Sequence, residues 1–376
     1  MNWEIVIIKF QGILRFVTER IPSFNRTIVI ARVRLLDKIR KNHHYVSQSY
    51  LKAWAHNHHR IWTYRTLVSH SAVPEWEQSS IRSIANHQHL FTRNIMGNDS
   101  DEFEKWMDKE IESPAQIALS KARSHSPLNK HELEHLLRFV ALHDIRSPAS
   151  YIEHLKRWGL EMPGIVEGAM QSAISKIEAE QYRTHFSVPE TNPDSEMIPM
   201  RVTKEIEDKS EVGILKTEVL LGRGLWLFSI RHLLSNTYKV LNKHVWSILH
   251  APEGMGWITS DNPVLKLNYY KAGSYDFKGG WGNKGSEIIF PISPELLLYS
   301  QVGNNTRINT VSRELATALN RFIAENAHRH VFGSKPIAEI SEILPRTVDK
   351  VAFDDEKREW GTWHARQKES EKGYQK

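Results

Sequence analysis

Glu287-Ile288-Ile289-Phe290-Pro291-Ile292 and, two residues on, Glu295-Leu296-Leu297-Leu298-Tyr299-Ser300-Gln301-Val302 are short, mostly apolar runs. Neither is long enough for an ordinary helix, and Ser293-Pro294 punctuates them, so both read as strands. His244–His250 and Gly256–Ser260 read the same way. Upstream the period changes. Asn129–Ile145 carries Leu133, Leu136, Leu137 and Val140 at helical spacing and stops at Ser147-Pro148. The spacing also predicts helices over Tyr45–Ala55, Asp101–Ala122 (with Ser100 as N-cap and Pro114 as a kink), about 149–158, about 163–183 and Glu211–Val240. A strand is predicted over Arg60–Arg65, a helix over Val311–His328 and a closing strand over His330–Gly333, with a loop at Ser187–Ser195. The expected fold is α+β, with a helix-rich N-terminal half and a mostly antiparallel sheet formed by the second half. The expected organisation is a basic N-terminal extension, 1–42, and a single domain, 43–350, with a helical part over 43–242 and a sheet part over 243–335. A charged C-terminal tail, 351–376, follows and is expected to be solvated.

The chain has 376 residues, 50 Lys+Arg and 44 Asp+Glu, for a net charge of +6. Residues 1–42 hold nine of the basic side chains (Lys9, Arg15, Arg20, Arg26, Arg32, Arg34, Lys38, Arg40, Lys41) and three acids (Glu4, Glu19, Asp37), so the excess belongs to that segment. The basic pI is therefore evidence about the extension, within which Thr27–Leu36 reads as a strand or a basic amphipathic stretch, and not about the rest. There is no cysteine, which excludes disulfides, thiol catalysis and Cys-ligated metals and fits a cytoplasmic location. No run approaches the roughly 18 apolar residues of a membrane span, and Ile5–Ile8, flanked by Glu4 and Lys9, is a poor signal peptide.

Several patterns invite a chemical reading. His131-Glu132-Leu133-Glu134-His135 has zinc-protease spacing, with Glu153 or His154 as a third ligand, but both His fall opposite the apolar stripe of their helix. Gly280-x-Gly282-x-x-Gly285 has dinucleotide-fingerprint spacing, yet a strand follows where a helix is needed. Pro193-Asp194 with Glu207-x-Lys209 has metal-nuclease letters in a charged context that no apolar strand supports. His56-Asn57-His58-His59 reads as an exposed turn. No G-x-S-x-G or Walker A pattern is present.

More informative are His43-His44-Tyr45-Val46-Ser47-Gln48-Ser49-Tyr50-Leu51 and Trp257-Ile258-Thr259-Ser260-Asp261-Asn262-Pro263-Val264, with Phe290-Pro291-Ile292-Ser293-Pro294 and Asn320 before Ala327 and Phe332. As a set these resemble a bacterial family of unknown function, domain-of-unknown-function family 4238. Its members open with His-His-Tyr-Val-Pro-Gln and later carry a Ser-Asp-Asn-Pro turn after a strand. Ser47 stands where many members have Pro. The resemblance covers about 43–335 and implies a location for function, not an activity.

A helix from Tyr45 puts His44 and Gln48 one turn apart, and a turn ending a strand projects side chains past a rigid sheet. His44 is thus a candidate base oriented by Asp261, with Asn262 beside it as a third catalytic candidate. His43, Gln48, Ser260 and Asn320 are candidate substrate-binding residues, and Arg146, in Arg-Ser-Pro, a candidate anion clamp. The reading this favours is a hydrolase of phosphodiesters or nucleotides, with a nucleic acid or nucleotide as partner and a divalent metal compatible with the site. Two alternatives stay open. One is a non-enzymatic interaction protein whose motifs are structural. The other is a zinc hydrolase using His131, Glu132 and His135.

Overall fold

The computed structural model describes residues 6–15, 39–56, 59–95, 97–178, 198–206, 212–308 and 310–374. The five-stranded antiparallel sheet runs in the order Ser247–His250, Leu296–Gln301, Glu287–Pro291, Leu265–Lys271, Ser274–Asp276. Strand alternation divides the molecule here. Leu296, Leu298, Ile288 and Phe290 enter one core, built with the helices and Trp54, Phe139 and Trp226. Leu297, Tyr299, Ile289 and Leu267 enter a second core with Trp257 and Phe322. The sheet is covered on both faces, which explains why its strands read as nearly continuous apolar runs.

The second core is shared with a four-stranded sheet, ordered Thr259–Ser260, His330–Gly333, Arg60–Arg65, Trp76–Ser80. Over both lies the helix Arg313–Glu325, whose Ser312 side chain caps Leu315 N at 3.2 Å and whose Ala316, Leu319, Phe322 and Ile323 face inward. The strand Asn42–His44 pairs with Asn86–Gln88. Asn129 and Glu132 form a reciprocal capping box at the start of Lys130–Ile145.

The fold is α+β with antiparallel sheets, but the N-terminal half is not helix-rich, because strands occupy much of it. Tyr45–Ala55 yields only the short helix Gln48–Leu51 and a turn. The predicted helix Glu211–Val240 is instead the strand Val212–Leu221, followed by the helix Arg223–Ser235 and a 3₁₀ segment. Thr217, Val219 and Leu221 alternate into the core, and pairing on both sides, with Val6–Arg15 and Met200–Ile206, overrides the apolar spacing. The extension is therefore joined to the body by a strand over part of its length. The helices predicted at 149–158 and 163–183 are one helix, Pro148–Glu178, that contains Pro163.

The charged tail is also corrected. Lys350–Glu371 is a docked helix. Trp363, Gln367 and Glu371, one turn apart, form its buried face. Thr27–Leu36, the loop 187–195, the Pro193-Asp194/Glu207-x-Lys209 pattern and Asn57-His58 lie wholly or largely outside the described residues. Among the described residues no helix is long and apolar enough to cross a membrane.

Candidate functional site

The sequence motifs meet where the short helix Gln48–Leu51 abuts the Thr259–Ser260 strand. The Tyr50 hydroxyl lies 2.6 Å from that of Thr259, and Trp54 Nε1 donates to the Trp257 carbonyl at 2.7 Å. Arg146, fully buried, donates through Nε to the Tyr45 carbonyl at 2.9 Å, pairs through Nη1 with Glu112 Oε1 at 2.5 Å and places Nη2 3.2 Å from His143 Nε2. Its neighbour Ser147 donates to Asn262 Oδ1 at 3.0 Å. One hydrogen-bonded network thus ties His-His-Tyr to Arg-Ser-Pro and Ser-Asp-Asn-Pro.

Within it most candidates hold backbone. His43 is enclosed; its Nε2–H donates to the Arg40 carbonyl and Nδ1 accepts from Phe91 N–H, both at 2.9 Å. Both ring nitrogens are committed, the tautomer is fixed, and burial pushes the imidazole down to about 4. The Asp261 carboxylate accepts from three consecutive backbone amides, His328 at 2.8 Å, Arg329 at 2.8 Å and His330 at 3.0 Å, with His330 Nδ1 at 3.4 Å. Burial pushes this carboxyl up, and the His330 ring and the amides outweigh it, leaving it below its ordinary value. The expected orientation of His44 by Asp261 is therefore not formed, and the histidine beside Asp261 is His330.

Asn262 donates to the Asn326 carbonyl at 3.1 Å, and Asn326 returns a bond to the Asn262 carbonyl at 2.9 Å. Ser260 Oγ accepts from Asn262 N–H at 3.1 Å. Asn320, on the helix Arg313–Glu325, accepts from Ile258 N at 3.1 Å and donates to the Gly256 carbonyl at 2.9 Å. Arg146 is not a surface clamp, because its guanidinium is enclosed and paired.

His44 differs from these. Its side chain turns away from that of His43, as alternation requires. Nδ1 lies 3.4 Å from Gln48 Nε2, and Nε2 is shielded and closes no hydrogen bond. Burial lowers its pKa, with the Arg82 and Ile81 carbonyls acting the other way. Sequence reasoning missed its counterpart, Glu104. That carboxyl is pushed up to about 8 by burial, and its Oε2 is shielded without a partner. His44 and Glu104 both feel the Arg146–Glu112 pair. Glu104, Asp108 and Glu112 recur every four residues, each one position after the buried Phe103, Met107 and Ile111. That adjacency to an apolar stripe was the available signal. Asp108–Glu112 is a π-helical turn, a distortion found often at functional sites.

The zinc-like motif has other duties. Glu132 Oε2 accepts from Asn129 N at 2.9 Å and Oε1 pairs with Lys121 Nζ at 2.5 Å. His131 and His135 meet edge to face at 4.2 Å, and His154 Nδ1 takes up the Ser150 carbonyl at 2.7 Å. His56 Nε2 meets the Ser334 carbonyl.

Among the described residues, one trio could hold a metal ion by proximity, His89, Asp99 and His364, under the C-terminal helix. Its hydrogen bonds oppose that use. Arg223 Nη1 donates to His364 Nδ1 at 2.9 Å, so His364 Nε2 carries the proton it gives to Asp99 Oδ2 at 3.0 Å. Lys368 Nζ sits 3.0 Å from Asp99 Oδ1. A metal would displace two cations, whereas the trio as it stands docks the helix.

No curated protein and no solved structure matches the chain. A family model described as "Protein of unknown function (DUF4238)" matches residues 42–336, which span the three motifs and most of both cores but stop short of the C-terminal helix. The chain belongs to the DUF4238 family.

Proposed function

We propose that the protein is a binding protein in which the His-His-Tyr, Arg-Ser-Pro and Ser-Asp-Asn-Pro motifs are structural. The observation that carries this reading is the saturation of Asp261 by three backbone amides. A carboxylate so engaged has little lone-pair capacity left, and what remains faces His330 Nδ1 at 3.4 Å, not a metal, a water or His44. Asn262, His43 and Arg146 support the same reading, since their polar atoms are taken up by backbone, Glu112, Ser147 and His143.

The test is a cleavage screen of the full chain against phosphodiesters and nucleotides, with and without added Mg²⁺, Mn²⁺ or Zn²⁺. The expected result is no turnover above background, and an Asp261→Asn protein with a lower melting temperature. Turnover that disappears in an Asp261→Asn protein of unchanged melting temperature overturns the proposal.

A second reading has its own observation, the pair of shielded polar atoms His44 Nε2 and Glu104 Oε2, on residues that both feel the Arg146–Glu112 pair. A histidine that burial keeps neutral and a carboxyl that burial keeps protonated suit the base and the acid of an acid–base couple. In a hydrolase of phosphodiesters, neutral His44 would take a proton from the attacking water and protonated Glu104 would deliver one to the leaving oxygen. The base role needs the Gln48 amide turned so that its oxygen meets Nδ1–H, and Nε2 opened to water and turned from the Arg82 and Ile81 carbonyls. This reading expects any cleavage found to fall by about 10²-fold or more in His44→Gln and in Glu104→Gln. Cleavage retained in both variants rejects it.

A further inference from the structure

The cavity at the edge of the five-stranded sheet lies apart from the motif junction. Its volume is about 590 Å³, within the range of small-molecule sites. Leu133, Trp246 and Leu298 contribute an apolar floor. The wall carries His125, His244, His250 and Arg307, and no aspartate or glutamate lines the space.

Three details make this more than a dent. His125 has φ +56°. It follows the helix Ser113–Arg123 within a turn closed by Ser126 N to the Lys121 carbonyl at 2.9 Å, a left-handed position where glycine is usual. The fold tolerates that cost and gains an imidazole at the rim. This imidazole stacks on His250, with ring centres 5.0 Å apart and planes 13° from parallel. Arg307 is exposed and makes no hydrogen bond or ion pair among the described residues, so its guanidinium is available. His244 is already committed, its Nε2–H donating to the Trp281 carbonyl at 2.6 Å.

We infer that this cavity binds an organic anion with a flat, apolar body, its carboxylate or phosphate held by Arg307 beside the stacked His125 and His250. A guanidinium fork suits either head group, and a rim that carries Arg307 and no carboxylate over an apolar floor selects against neutral and cationic ligands. The inference gives the binding reading its ligand class and rests on it only in asking no reaction of this cavity. Catalysis at the junction would overturn that reading without altering the measurement below.

The experiment is calorimetric titration of the full chain with AMP, phenyl phosphate and benzoate, against adenosine and benzyl alcohol. The anions are expected to bind at least about tenfold more tightly than their uncharged counterparts, a difference of about 1.4 kcal/mol. The phosphate and carboxylate arms tell which head group is preferred. Arg307→Ala should erase the anion's advantage and leave the melting temperature unchanged. His125→Gly, which supplies the residue the turn prefers, should weaken anion binding while keeping or raising the melting temperature. Absence of anion binding into the millimolar range, equal affinity for AMP and adenosine, or wild-type binding by both variants overturns the inference.

Discussion

The guanidinium of Arg146 has no solvent exposure, and its Nη1 lies 2.5 Å from Oε1 of Glu112, itself at the end of the π-helical turn. Removing one member of such a pair strands the other. Glu112→Ala should therefore cost about 3 kcal/mol or more, read as a lower urea midpoint. Replacing both partners with apolar residues, as in Arg146→Met with Glu112→Leu, should cost less than the two single changes added together, since the unpaired charge is gone. A double variant as unstable as that sum would show that Arg146 acts mainly through the Tyr45 carbonyl.

Asp261→Asn keeps shape and volume but turns one acceptor oxygen into an NH₂ group facing backbone N–H donors. The expected loss is about 2–3 kcal/mol, the cost of unmaking charge-assisted bonds in an enclosed site. The amides of 328–330 should then exchange with solvent faster than those of the remote strand Leu296–Gln301. Hydrogen exchange on the intact variant checks this, and uniform acceleration would reject a local anchoring role.

Stability should decline on acidification from about pH 6.5 to about pH 4. His43, His87 and His154 are each lowered from 6.5 to about 4, chiefly by burial. A histidine depressed in the fold binds its proton more readily when unfolded, so its contribution is complete above 6.5 and disappears as pH falls toward the folded value. Each ring alone accounts for a loss of about 3 kcal/mol once it is fully protonated. Glu104 has the opposite sign. Raised to about 8 from 4.5, it favours the fold while protonated and weakens it as pH rises from 4.5 through 8. Together these put the stability maximum near about pH 6–7. Denaturant midpoints across pH 4 to 9 check it, and a curve still rising at pH 9 would contradict the Glu104 assignment.

What the sequence made legible follows from how local the signals were. Arg60–Arg65 and His330–Gly333 are strands with the expected bounds, because apolar alternation and nearby turns define them. The helix start at Asn129 was legible too, and Glu132, three residues on, completes its capping box. Convergence of the His-His-Tyr and Ser-Asp-Asn-Pro motifs was readable, but the partners of Asp261 were not. They are backbone amides 67 to 69 residues downstream, and an amide leaves no mark on residue identity. The C-terminal helix was misread for a related reason. Its buried face is one tryptophan followed by Gln367 and Glu371, so its docking is polar and hydrophobic periodicity does not register it.

That helix carries the last prediction. Arg223 is fully buried, and its partners come almost entirely from residues 364–371. Glu371 lies 2.6 Å from Nη2, His364 Nδ1 lies 2.9 Å from Nη1, and Gln367 Oε1 accepts from Arg223 N at 2.8 Å. Trp363 covers Tyr151, and His87 donates to the Trp360 carbonyl at 2.9 Å. A chain ending at Val348 contains the whole family match, residues 42–336. It nevertheless leaves an uncompensated guanidinium in the core, and it should lose at least about 3 kcal/mol or fail to fold. Arg223→Met in the shortened chain removes the stranded charge, so it should recover part of that loss, whereas in the full chain the same change should destabilise by stranding Glu371. Opposite signs for one substitution in two backgrounds, read from urea midpoints, would establish the helix as part of the folded unit. Equal effects in both would show that Arg223 owes little to it.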